Sequence, residues 1–327
     1  MIVSRTPFRI SIGGGGTDLP FYYTKKGGDL VTAAIDKYMY IIVQPRQFDE
    51  FLIRYSKTEI VKNVEDIQHE LIRESLKLLN IYKPLEVTSV SDLPAQTGLG
   101  SSSTFLVGLL HALHRYKGEK VSKKRLAEEA TKIQSEILHQ SAGMQDQYIA
   151  AYGGMINLKI TTRGRVLVTP IDVTDEDLTK LEENLLFFYT GIRRSADEVL
   201  ADQEKEVLSD DKKIDNMTEI KKLGVDIKDA LETGNLRKFG QYMHVHWKIK
   251  QSLSKKMTNS DINEWYELAI RNGAIGGKII GAGGGGFLMF YIENNKEQLV
   301  NAMVRQGLTY LKFGFDYDGT KIIYDGE

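Results

Sequence analysis

The sequence predicts an α+β protein built in two parts, and three observations carry that prediction. Strand-like segments crowd the first 60 residues. A strand–loop–helix unit and further helices follow to about residue 151. The second half then runs strand, helices, strand–strand, helix, strand. The 327 residues are 42% hydrophobic and 27% charged, enough for two domains that each bury a core. A composition shift near 155–180 places the division, written here as 1–170 and 171–327.

The elements follow in order from local pattern. β-Branched and aromatic runs at 29–35, 38–45 and 50–56, separated by Gly, Asp or Pro signals, read as strands. Ile67, Leu71, Ile72, Leu76 and Leu79 recur at helical spacing. Alternation returns in "LEVTSVS" (85–91), and "DLPAQTGLGSSST" then leads into the apolar helix "FLVGLLHALHRY". Helices are expected at about 122–139 and 142–151. The second half holds a buried strand at 184–191, a long polar helical region from about 196 to 254, and a helix near 260–271. "GGKIIGAGGGGFLMFYIE", a helix at about 295–306 and "LTYLKFGF" close it.

Charge and composition exclude several functions. Lys plus Arg number 43 against 44 for Asp plus Glu, which leaves no footprint for nucleic acid or an acidic membrane. The absence of cysteine excludes a disulfide scaffold, a zinc ribbon and a thiol nucleophile. "MIVSRTPFRI" lacks the apolar core of a signal peptide, and no stretch approaches the ~18 apolar residues of a membrane span. The expectation is a cytoplasmic protein whose partners are small molecules. His244 and His246, two apart on a helix, read as packing or surface residues, and nothing in the sequence requires Trp247 or Lys250 to border a site.

Three loops carry the chemistry. Glycines 13–16 cost backbone entropy on ordering, so something must approach that backbone closely. "GLGSSST" (98–104) stands between a strand and a helix, where unpaired amides and a partial positive charge hold anions. Its residues Gly98, Leu99, Gly100, Ser101, Ser102 and Ser103 read as a phosphate cradle, with a serine N-cap and turn as the plain alternative. No Walker A pattern is present. "GAGGGG" (281–286) satisfies G-x-G-x-x-G, yet a strand follows it, so it reads as a loop against a ligand or a neighbouring backbone.

In order along the chain, "TPFRISIGGGGTDLP", "LPAQTGLGSSST" and "KIIGAGGGGF" resemble the three signature motifs of the GHMP kinases. Within that family, "YTGIRRSA" and "GAIGGKIIGAGGGGF" look most like the D-glycero-D-manno-heptose 7-phosphate kinases, relatives of bacterial fucokinases. The resemblance implies an S5-like N-terminal domain and a ferredoxin-like C-terminal domain, with ATP and sugar between them. It implies that residues 98–103 hold the ATP phosphates, with Mg2+ on Ser102 and Glu136. It implies Asp146 as catalytic base and Arg9 as its charged partner. Asp18 matches a sugar-binding aspartate, and Gly14, Gly15, Gly16, Thr17, Gly283 and Gly284 would line the sugar pocket. Galactokinases place a Glu-His pair where this chain has Gly15 and Gly16, which argues against galactose and leaves room for a phosphosugar. Arg193 and Arg194 suit bidentate recognition of the sugar's own phosphate. The implied activity is phosphorylation of the anomeric hydroxyl of heptose 7-phosphate. A fucokinase- or galactokinase-like enzyme and a non-catalytic sugar and ATP sensor are the alternatives.

Overall fold

In the computed structural model, which describes residues 1–326, β1 (Ile2–Gly13) is the spine of the first sheet. After the short α1 (Pro20–Lys26), the long β2 (Gly28–Pro45) runs antiparallel to it. The two segments expected at 29–35 and 38–45 are thus one strand, with a register shift opposite Pro7 and Phe8. β3 (Phe51–Arg54), β4 (Thr58–Val61), α2 (Glu70–Leu78) and β5 (Leu85–Ser91) follow. β5 takes the C-terminal half of the free edge of β2. The N-terminal half goes to β6 (Met155–Ile160), which also pairs with β7 (Val166–Pro170). Between β5 and β6 lie α3 (Ser101–Tyr116), α4 (Lys123–Thr131) and α5 (Gln145–Tyr152). The helix expected over 122–139 changes after Thr131 into a π-helical stretch, Lys132–Ile137.

The second half opens with α6 (Asp175–Asn184) and β8 (Leu185–Tyr189). The long polar region resolves into α7 (Ala196–Leu208), α8 (Asp211–Glu232) and α9 (Leu236–Gln251). Then come α10 (Ser260–Arg271), β9 (Gly276–Ile279), β10 (Phe287–Tyr291), α11 (Lys296–Arg305) and β11 (Thr309–Leu311). The strands form a four-stranded antiparallel sheet in the order β11-β8-β10-β9. The run "LLFFY" is continuously apolar because both faces of that sheet are buried. Leu186 and Phe188 pack with Trp247 and with Tyr266 of α10, whereas Leu185 and Phe187 join the core of the first sheet.

The end of the chain departs from a division at 170. β12 (Lys321–Asp325) returns to pair antiparallel with β1, and Phe315 bridges to Ile35. Residues 314–325 therefore complete the first sheet, although the sequence places them in the second half.

Candidate active site

The cleft forms where β1, the start of α3, the start of α5 and the segment leading into α7 converge. β1 supplies Arg9, which is buried. Its Nε and Nη2 donate to the two carboxylate oxygens of Asp146, each at 2.6 Å, and its Nη1 donates to the Gly98 carbonyl at 2.6 Å. This fork-to-carboxylate geometry fixes both side chains as well as joining their charges. Asp146 stands in the first turn of α5, where a carboxylate meets the positive end of the helix dipole.

The loop before α3 presses against that pair. Gly100 has φ +81°, and a Cβ there would lie 3.1 Å from Asp146 Oδ2 and 3.3 Å from Arg9 Cγ. Ser101 and Ser102 line the cleft, and the Ser101 hydroxyl is buried without a hydrogen-bond partner. An unpaired hydroxyl at a helix N-terminus is what a bound phosphate would satisfy. Leu99 corrects the expectation: its side chain is fully buried in the core, and its contribution is a carbonyl that accepts from Arg9 N at 3.2 Å.

At the other end of the cleft Asp18 is buried, with Gly16 N donating to Oδ1 at 3.2 Å and Gln145 N to Oδ2 at 3.0 Å. Burial pushes its carboxyl up, Asp146 adds to the rise, and the amides from Gln145 and Gly16 oppose it. Gly15 and Gly16 line the cleft beside it. Gly14 does not: a Cβ there would meet the Asp29 carbonyl at 2.2 Å, so this glycine serves close packing on β2. Thr17 also faces away, its hydroxyl donating to the Gly14 and Asp29 carbonyls.

Of the arginine pair only Arg194 reaches the cleft; Arg193 is exposed. Nε and Nη2 of Arg194 are buried without partners. Burial, with Arg9 nearby, pushes its guanidinium down to about 10, which leaves it charged at neutral pH. In the second glycine run Gly281 lines the cleft, while Gly283 and Gly284 are held off it by close contact with Met257, the Lys256 carbonyl and Arg194 Cδ.

The expected metal pair does not assemble. Ser102 faces the cleft, but Glu136 is exposed on the π-helical stretch, where it adds to the rise that burial imposes on the Tyr23 phenol. Gln134 faces the cleft in its place, and its Oε1 accepts from Ser103 Oγ and from Gln147 Nε2, both at 2.8 Å. A neutral amide already engaged twice is a poor substitute for the carboxylate that Mg2+ prefers. Gln134 and Gln145, which the sequence did not single out, also line the cleft, as does Lys250, which nothing in the sequence required to border it. Gln145 is adjacent to Asp146 and could have been found there; the other two carry no local pattern.

A phosphate-type loop set against an oriented Arg–Asp pair, in a cleft lined by β1 and the starts of α3, α5 and α7, defines a small-molecule phosphotransferase. The chain belongs to the GHMP kinases: the GHMP kinases N terminal domain matches residues 59–154 and the GHMP kinases C terminal matches residues 227–308. It is 30% identical to the D-glycero-alpha-D-manno-heptose 7-phosphate kinase of Campylobacter jejuni, covering 98% of each chain. It is 25% identical to the L-fucokinase/L-fucose-1-P guanylyltransferase of Bacteroides fragilis, over 88% of this chain and 34% of that one. Its fold superposes on a D-glycero-D-manno-heptose 1-phosphate kinase from Bacteroides thetaiotaomicron with a TM-score of 0.82 over the whole of both chains, at 24% identity. That last likeness is one of fold. The chain is a sugar kinase, a phosphotransferase with an alcohol acceptor, and kinases of this family use ATP. Among the described residues no helix is long and apolar enough to cross a membrane.

Proposed function

We propose that this kinase transfers the γ-phosphoryl group of ATP to the anomeric hydroxyl of D-glycero-D-manno-heptose 7-phosphate, giving the 1,7-bisphosphate. The observation that carries the reading is Arg194, a half-buried cation whose Nε and Nη2 are buried and unpaired, near the Arg9–Asp146 pair in a cleft that Gly15 and Gly16 also line. The 30% likeness to a heptose 7-phosphate kinase supports the choice of sugar.

The geometry supplies the steps. Amides and hydroxyls of residues 98–103 hold the nucleotide phosphates at the start of α3. Asp18 accepts hydrogen bonds from sugar hydroxyls and orients the ring. The anomeric oxygen attacks the γ-phosphorus, the bond to the ADP oxygen breaks, and Asp146 takes the proton that the hydroxyl loses. Arg9 holds the Asp146 carboxylate in place by its two hydrogen bonds and balances charge on the entering oxygen. Mg2+ would come on the oxygens of the nucleotide itself, with Ser102 the cleft-facing hydroxyl able to join them.

Two measurements test this reading. Asp146→Asn is expected to lower kcat on the order of 10²–10⁴-fold with the fold intact by circular dichroism; full turnover in the variant would remove the base role. In a coupled assay heptose 7-phosphate should be preferred over heptose, fucose and galactose. A preference for fucose or galactose would replace the sugar, and no transfer to any of them would leave a sensor.

A further inference from the structure

Lys250 stands at the last turn of α9, buried, with its ammonium at the wall of the cleft. Its single hydrogen bond among the described residues runs from Nζ to the Gly281 carbonyl at 2.6 Å. An ammonium has three donors, so two remain unused. Neither Lys250 nor the neighbouring Arg194 forms an ion pair among the described residues, while the charge of Arg9 is committed to Asp146. A buried lysine and a guanidinium with two buried, unpaired nitrogens are costly to enclose without an anion to join them. The nucleotide already has the loop and the positive end of α3. Lys250 shares the cleft with Asp18, the carboxylate that acts on its charge.

We propose that Lys250, together with Arg194, seats the phosphate that the sugar itself carries into the cleft, and so determines the preference for a phosphorylated sugar. The inference rests on the phosphosugar reading above. The charge of the seat responds to its occupant. Burial, then Arg194 and Arg9, push the ammonium down to about 7, with Asp18 pulling the other way. Lys278 and His246 are also buried and held well below their ordinary values, Lys278 by burial, Lys250 and Arg9, and His246 by burial, Lys278 and Lys250. At neutral pH Lys250 in the empty seat is therefore only partly protonated, while Arg194 stays charged, and an entering dianion draws a proton onto the lysine.

The variant to make is Lys250→Met, which keeps the length of the side chain. The ratio of kcat/KM for heptose 7-phosphate to that for unphosphorylated heptose is expected to fall on the order of 10–10²-fold, the range of a lost charge-assisted hydrogen bond. An unchanged ratio, including one in which both substrates lose activity alike, overturns the seat. A second measurement is independent of the sugar: inorganic phosphate titrated calorimetrically into the protein saturated with a non-hydrolysable ATP analogue. Wild type should bind one phosphate and Lys250→Met at least tenfold more weakly; equal binding overturns the seat. Loss of phosphate binding in the variant of an enzyme that ignores heptose 7-phosphate would leave the seat standing and reject only the sugar.

Discussion

The two glycine runs look alike in the sequence and are used differently. In the first, Gly13 and Gly14 stand against α8 and β2: a Cβ on Gly13 would lie 3.2 Å from Gly224 Cα, and one on Gly14 would lie 2.2 Å from the Asp29 carbonyl. Gly15 and Gly16 then turn to the cleft, where Gly16 N holds Asp18. In the second, only Gly281 and Ala282 reach the cleft. Gly283, Gly284, Gly285 and Gly286 are pressed against segments from three other loops, Gly286 against the Thr97 carbonyl at 2.1 Å for an added Cβ. Both runs mark places where backbones are squeezed together. What lies opposite decides whether a given glycine meets ligand or protein.

That contrast can be broken experimentally. The largest effect is expected at Gly286→Ala. The residue has φ +87° and its new methyl would meet rigid backbone. A left-handed alanine costs roughly 1–2 kcal/mol and overpacking roughly 1–3 kcal/mol, so denaturant unfolding should show a loss of about 3 kcal/mol. A loss below about 1 kcal/mol would mean that the second run is not a packing device.

Gly16→Ala should do less to stability and more to the substrate. Here φ is +95°, but the new Cβ would meet the movable ends of Gln203 and Met217 at 3.3 and 3.5 Å. Stability should fall by roughly 1–2 kcal/mol, while KM for the sugar rises more than KM for ATP because the strained turn shifts the amide that holds Asp18. Equal changes in the two KM values would erase the distinction between the runs.

The smallest effect sharpens what the first run contributes. Asp18 has its carboxyl pushed up by burial, so it takes a proton at a pH where an ordinary carboxylate is still ionised. Lowering pH should therefore weaken sugar binding early, giving kcat/KM for the sugar an acid limb above the ordinary carboxylate range. Asp18→Asn should lower kcat/KM and abolish that limb. A limb that persists in the variant belongs to another group.

Much of this molecule is legible without coordinates where the signal is local. Arg9, Asp146, Asp18 and the 98–103 loop all lie inside contiguous motifs, and each lines the cleft or supplies its backbone. Glu136 was chosen as the acidic residue ten positions before Asp146, and the structure puts it on the exposed side of the π-helical stretch. Side chains two apart on a helix point to different sides, so Gln134 faces the cleft and Glu136 faces solvent. Arg193 and Arg194 divide in the same way in an irregular segment, where no period predicts direction. β12 was missed because five residues at the end of the chain have no neighbour in sequence to reveal that β1 is waiting for them.

The sequence by itself determined the α+β class, the family and the Arg9–Asp146 pairing, because short motifs encode local backbone shape and the chemistry riding on it. Only the tertiary structure decided which glycines line the cleft, that Gln134 faces it while Glu136 is exposed, and that Lys250 joins Arg194 there. Those outcomes depend on what packs opposite a residue. Lys250 and Gly281 are 31 positions apart, and only folding brings the lysine to the carbonyl that holds it.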